Sequence, residues 1–156
     1  MKGDPKVLQL LNEVLTGELQ AISQYFLHGK MCRNWGYERL ADKIVKESID
    51  EMKHADQLVE RILYLEGLPN LQKLDKLLIG QSVVEILHND LALEHLAVPR
   101  LNKGIQVCRD VGDNGSEVLL TSILTSEEEH VDWLEAQIEL VKQVGDAHYL
   151  AQQIRS

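Results

Sequence analysis

Apolar residues recur along this chain at alternating steps of four and three, the period of a helix seam and not of a strand. One stripe runs Leu11, Leu15, Glu18, Ile22, Tyr25, and a second runs Leu40, Ile44, Glu47, Glu51, His54, Leu58. A third runs Leu87, Leu91, Glu94, Val98, Leu101, Ile105, and a fourth runs Leu120, Ile123, Glu127, His130, Leu134. Breaks fall at Asn34-Trp35-Gly36, Glu66-Gly67-Leu68-Pro69-Asn70, Gly112-Asp113-Asn114-Gly115 and Gly145-Asp146. These are residue types that stop helices and turn the chain. The pattern predicts helices over 5–34, 37–66, 82–111 and 115–144, and a short one over 147–155 with Asp146 as its cap. Residues 67–82 are left as one long connection. Four helices of ~30 residues, each ~45 Å long, suit a bundle. Pro99, inside the third, predicts a kink or a local weakening.

Composition narrows the reading without changing it. A chain of 156 residues makes one domain, 1–156, able to bury roughly 68–70% of its unfolded surface. Hydrophobic residues at 44% and charged ones at 26% mark a folded, soluble chain. No apolar run approaches the ~18 residues of a membrane span. Sixteen basic against twenty-five acidic residues leave a net charge of −9. That sets nucleic acid aside and favours cations as partners. Cys32 and Cys108 form no CxxC pair, and the opening Met1-Lys2-Gly3-Asp4-Pro5 has no signal-peptide core, so a reducing, cytoplasmic location is expected.

The middles of the four stripes carry the chemistry. Glu18 and Glu94 stand 76 positions apart, and so do Glu51 and Glu127, and His54 and His130. Each half of the chain therefore reads Glu, a long gap, then Glu-x-x-His. The midpoint between Glu18 and Glu51 falls at the Asn34-Trp35 break, and that between Glu94 and Glu127 falls at Asp110-Val111. In two antiparallel hairpins the carboxylates then stand level, ~25 Å from their turns. The i,i+3 spacing puts each Glu and its His on one face. Four carboxylates gathered in a bundle interior repel one another and lose several kcal/mol of solvation unless something neutralises them. Two divalent cations do so, and a mixed Glu/His set suits iron, manganese or zinc better than calcium or magnesium. This constellation is characteristic of ferritin-like carboxylate bundles.

The chain resembles bacterioferritin, the heme-containing bacterial branch of the ferritins. The likeness is carried by Met1-Lys2-Gly3-Asp4, Gln24-Tyr25-Phe26-Leu27-His28, Ser48-Ile49-Asp50-Glu51-Met52-Lys53-His54-Ala55-Asp56, Leu65-Glu66-Gly67-Leu68-Pro69-Asn70-Leu71, and Glu127-Glu128-Glu129-His130 with Trp133-Leu134-Glu135. It runs over essentially the whole chain. It implies an all-α, ferritin-like four-helix bundle with a long crossover between helices two and three and a short fifth C-terminal helix. It also implies a hollow shell of 24 subunits, ferroxidase activity with O₂ or peroxide, and storage of ferric mineral. By the same resemblance Glu18 and His54 serve one iron, Glu94 and His130 the other, and Glu51 and Glu127 bridge them.

The resemblance also implies heme b, one per subunit pair, held by one Met52 from each chain and receiving electrons from a ferredoxin-like donor for iron release. Met52 lies ~100° of helix rotation from Glu51 and points away from the metal residues, on a face with Leu19, Phe26 and Ile49. Tyr25 is implied as a redox-active or supporting tyrosine. Asp50 is implied as an inner-surface iron ligand, although Lys46 stands where some relatives carry histidine. Glu47 is read as facing the cavity or as merely solvated. Asn34, Glu66, Asp132 and Glu139 match pore positions, and His148 and Ala151 replace the amides common at the four-fold pore. His28, His88 and His95 are expected at the surface or in interfaces, and Cys32 and Cys108 as reduced packing residues. Whether the shell is built of one chain or includes a paralogous subunit stays open. The competing reading is a rubrerythrin-like di-iron peroxidase without storage, a class that usually adds an electron-transfer domain with CxxC pairs.

Overall fold

The structure, a computed structural model, describes residues 1–155. It holds α1 (Pro5–Asn34), α2 (Glu38–Tyr64), α3 (Val83–Val111), α4 (Asn114–Val144) and α5 (Asp146–Ala151), and no strand among the described residues. Each long helix ends within two residues of its expected bound. The last helix is shorter than expected: it stops at Ala151, and Asp146 is its first residue, with Gly145 at the cap and no side-chain cap bond. Pro99 does not interrupt α3, which runs through it as helix. No helix among the described residues is long and apolar enough to cross a membrane.

Caps explain most of the helix starts. Asp4 accepts from the Lys6 amide at 2.8 Å, Ser82 from that of Glu85 at 3.2 Å, and Asp113 from that of Ser116 at 3.0 Å. Each satisfies an amide that the helix itself leaves unpaired. Gly112 closes α3 at φ +77°, a conformation a side chain disfavours. α1 packs on α2, and α3 on α4, as antiparallel hairpins; α1 also packs on α3, and α2 on α4. His28 near the end of α1 meets Asp90 near the start of α3, so these two helices run antiparallel as well.

Residues 65–82 cross from the end of the first hairpin back to its turn end, along α1. One polar face of α1 holds that segment. Asn12 donates to the Leu68 carbonyl and accepts from the Asn70 amide; Gln20 donates to the Lys76 carbonyl. Gln24 accepts from the Leu78 amide at 2.9 Å, and His28 Nε2 from that of Gly80 at 3.0 Å. This row corrects one expectation: His28 is fully buried, with Nδ1 2.7 Å from Asp90 Oδ1, and is not at the surface. Backbone groups of an irregular segment need partners when covered, and a row of side chains four residues apart on one helix face supplies them. Cys32 and Cys108 are buried free thiols, pushed up to about 12 and about 11 mainly by burial, and so stay protonated.

The apolar interior forms two clusters. One, around Tyr25, Leu40, Ile44, Leu87 and Leu134, lies toward the α1–α2 turn; the other, around Leu11, Leu58, Leu101, Leu120 and Ile123, lies toward the opposite end. The ionisable layer sits between them.

Candidate metal centre

Each of the four long helices brings an acid into that layer. Glu18, Glu51, Glu94 and Glu127 are 1–3% exposed and His130 is 4% exposed. His54 is half-buried. Leucine and isoleucine one or two turns above and below each acid bury those helix faces, and the acids are carried inward with them.

The six side chains fall into two overlapping groups. Glu18, Glu51, His54 and Glu127 each offer a ligand atom within 4.8 Å of the others, and so do Glu51, Glu94, Glu127 and His130. Ligands on one ion with bonds of about 2.0–2.3 Å stand at most about 4.6 Å apart, so each group is within a few tenths of an ångström of the span of a single coordination sphere. Glu51 and Glu127 belong to both groups. Three carboxylate oxygens, Glu18 Oε2, Glu94 Oε2 and Glu127 Oε1, are buried without a hydrogen-bond partner among the described residues. His54 Nδ1 lies 3.5 Å from the first and 3.3 Å from the last, within ion-pair reach but out of hydrogen-bond line. Buried acceptors left open are rare, because each forfeits its hydration. Open acceptors on carboxylates, with imidazole nitrogens beside them, are the donor set a transition metal takes.

Protonation shows the strain of the metal-free cluster. Burial pushes Glu94 up to about 8, aided by Glu127 and opposed by its bond from His130. Burial likewise raises Glu127 to about 7, opposed by the close approach of Glu94 and His54. For His54 burial works against the charged form, but the Glu127 and Glu51 carboxylates beside it outweigh it and lift the imidazole to about 10. His130 is lifted to about 9 in the same way, chiefly by Glu94, 3.1 Å from its Nδ1. Protons therefore do what metal ions would do, compensating crowded negative charge.

The surrounding residues order the layer. Tyr25 is fully buried, donates from Oη to Glu94 Oε1, and meets the His130 ring edge-on at 5.1 Å. Its own hydroxyl is raised well above the ordinary value by burial and then by the charges of Glu94, Asp90 and Glu127, so it remains a donor. Trp133 stacks on His130 with ring centroids 6.2 Å apart. Glu47 corrects a second expectation. It is 7% exposed, not solvated; it pairs with Lys43 at 2.8 Å and stands 3.8 Å from His130 Nδ1. Its place on the apolar stripe of α2 was the sequence signal for that burial.

Other expected residues lie outside the layer. Asp50 pairs with Lys46 at 3.0 Å and joins neither ligand group. Met52 is 55% exposed, on an outward apolar face with Phe26 and Ile49 and half-buried Leu19. Asn34, Glu66, Asp132, Glu139, His88, His95, His148 and Ala151 are all exposed.

A four-helix bundle with a crossover along its length and paired carboxylate–imidazole groups at mid-height defines the ferritin-like class. The family model described as a ferritin-like domain matches residues 8–144. Among curated relatives, bacterioferritin of Mycobacterium leprae (strain TN) is 51% identical over 97% of this chain and 96% of its own length. Bacterioferritin of Streptomyces coelicolor is 46% identical over 97% and 90%, and that of Brucella melitensis 45% over 96% and 92%. At that identity, sustained from end to end, the chain belongs to the bacterioferritin family.

Proposed function

We propose that this chain stores iron, oxidising Fe(II) at the six-residue layer and depositing ferric product inside a hollow shell of 24 copies. The observation that carries the reading is the pair of ligand groups sharing Glu51 and Glu127; membership of the bacterioferritin family supports storage as the outcome. Iron is the substrate. Glu18 and His54 hold one ion, Glu94 and His130 hold the other, and Glu51 and Glu127 contact both. The pair of ferrous ions supplies two electrons together to O₂ or peroxide. The chain's part is positioning and charge. Four carboxylates match the charge of two divalent ions, and the protons held on Glu94, His54 and His130 leave as iron arrives. Tyr25 fixes the carboxylate plane of Glu94 through its hydroxyl. The apolar clusters above and below keep bulk water from the layer.

Heme b suits the outward face. Met52 offers a thioether there among Phe26, Ile49 and Leu19, and two chains meeting on that face would hold the heme between their two Met52 side chains. Bound there, heme would provide a one-electron path, fed by a ferredoxin-like donor, for reductive iron release. Asp50 serves as an inner-surface iron ligand only after Lys46 lets go of it.

The deciding experiment adds Fe(II) aerobically to metal-free protein and follows ferric absorbance. Fast oxidation of two ions per chain, lost in Glu51→Ala and Glu127→Ala and blocked by Zn(II), is expected. Equal rates in wild type and both variants would remove the ferroxidase reading. A particle near 24 chains of 17.7 kDa, about 425 kDa, supports the shell; a dimer or tetramer with intact oxidation supports the rubrerythrin-like alternative.

A further inference from the structure

Outside the metal layer, His28 on α1 and Asp90 on α3 form a fully buried ionisable pair, 0% and 1% exposed. The iron chemistry makes no use of either. Both ring nitrogens of His28 are taken. The Gly80 amide meets Nε2 at 3.0 Å. A backbone amide only donates, so Nε2 is a bare lone pair. A neutral imidazole carries one hydrogen, which must then sit on Nδ1, 2.7 Å from Asp90 Oδ1. Gln24 donates to the same oxygen at 2.9 Å. The bonds around the ring thus fix its tautomer.

That tautomer carries a conflict. A carboxylate beside Nδ1 favours a second proton on the ring. The only place for it is Nε2, where it would face the Gly80 N–H donor against donor. Ring protonation and the Gly80 bond therefore exclude each other. Gly80 does not yield alone. A Cβ there would stand 2.6 Å from the Ile86 amide nitrogen, so its backbone lies directly on the first turn of α3. Next to it the Gln81 amide donates to Glu85 at 2.7 Å, and Ser82 caps the helix. On the other side Gln24 holds the Leu78 amide and Gln20 the Lys76 carbonyl. Losing the Gly80 bond loosens the stretch from Lys76 to Ser82 as a unit.

We propose that His28 is an acid-released latch on the crossover: a proton taken up at Nε2 expels the Gly80 amide, pairs the imidazolium with Asp90 and frees residues 76–82. Few neighbours compete for that proton. On α1, Tyr25 and Cys32 stand a turn to either side, both raised by burial and so neutral. Tyr149 of α5, beside Cys32, is raised by burial as well. α3 adds Glu94 a turn beyond Asp90, bonded to Tyr25 and His130, and Glu85, bonded to the Gln81 amide. The crossover brings Lys76, which is exposed. No ionisable side chain of α2 or α4 bonds to the ring among the described residues.

The test needs no metal and so stands apart from the ferroxidase reading. The assembled, metal-free protein is labelled with nitrogen-15 histidine and sedimented. Solid-state NMR reads the His28 ring, and hydrogen exchange reads protection at 76–82, both from about pH 8 to about pH 5. At the upper end the ring should carry its hydrogen on Nδ1 with Nε2 bare. As the imidazolium forms, protection at 76–82 should fall about tenfold per pH unit, one proton per opening. In His28→Gln, whose amide oxygen can hold Gly80 but takes no proton, the fall should vanish. In Asp90→Asn, which lacks the carboxylate, it should move at least about one pH unit lower. The two wild-type curves decide even if a variant fails to assemble. An imidazolium with protection unchanged, opening without a change in the ring, or no opening down to about pH 5 overturns the proposal. A fall as steep in His28→Gln as in wild type overturns it too.

Discussion

Glu94 meets three neighbours at once: the Tyr25 hydroxyl, the His130 imidazole and the Glu127 carboxylate. Its protonation therefore reports the state of the whole layer. Glu94 and Glu127 rise from an ordinary 4.5 to about 8 and about 7, and His54 and His130 from 6.5 to about 10 and about 9. All four are raised in the folded state. They stabilise the metal-free protein fully below the unfolded values, and that contribution is lost as pH rises through the folded ones. Melting of the metal-free protein should thus fall in temperature between about pH 5 and about pH 9, while the Zn(II)-loaded protein changes less. A metal-free melting temperature flat or rising over that range would contradict the buried, proton-held cluster. Calorimetric Zn(II) titrations in buffers of different ionisation enthalpy should show protons released near pH 7.

At the scale of elements, two devices hold the bundle in register. Asp113 caps α4, accepts from Ser116 Oγ at 2.7 Å, and accepts from Arg61 at 2.8 Å, joining α2 to the α3–α4 turn. Burial opposes its charge, but the bonds from Ser116 and Arg61 prevail and hold it below 3.8. Its contribution is present above that unfolded value and disappears as pH falls through the folded one. Asp113→Ala should cost about 1–2 kcal/mol at neutral pH, and the gap from wild type should close in acid urea melts. The second device is the polar row on α1. Gln24 donates to Asp90 at 2.9 Å and accepts from the Leu78 amide. Gln24→Ala leaves a buried donor and acceptor open and should cost about 1–3 kcal/mol. Hydrogen exchange should speed up at 76–82, with Zn(II) stoichiometry unchanged. His28 and this row were missed in the sequence because their partners lie 52–66 residues away. Their spacing of four on α1 was visible, but a buried polar face and a solvated one look alike in a string of letters.

On the scale of the whole molecule, apolar surface remains uncovered. Leu68 and Leu74 are 84% and 83% exposed, and Phe26, Ile49, Met52 and Leu71 about half. A lone chain rarely leaves so much apolar area in water, which argues for contact with further copies. Leu74→Glu should shift the particle mass to smaller species while helicity is kept. Met52→Leu should abolish a b-type heme spectrum without altering that mass. A heme spectrum that survives the substitution would remove Met52 from the ligand role. The helices, the two hairpins and the gathering of these four acids and two imidazoles into one layer were legible in the sequence alone, because helical period and duplicated spacing are local quantities that survive without coordinates. Only tertiary structure decided which other polar groups are buried: His28 under the crossover and Gln153 against α2. Their burial depends on what a distant segment lays over them, and nothing in their own neighbourhood encodes that cover.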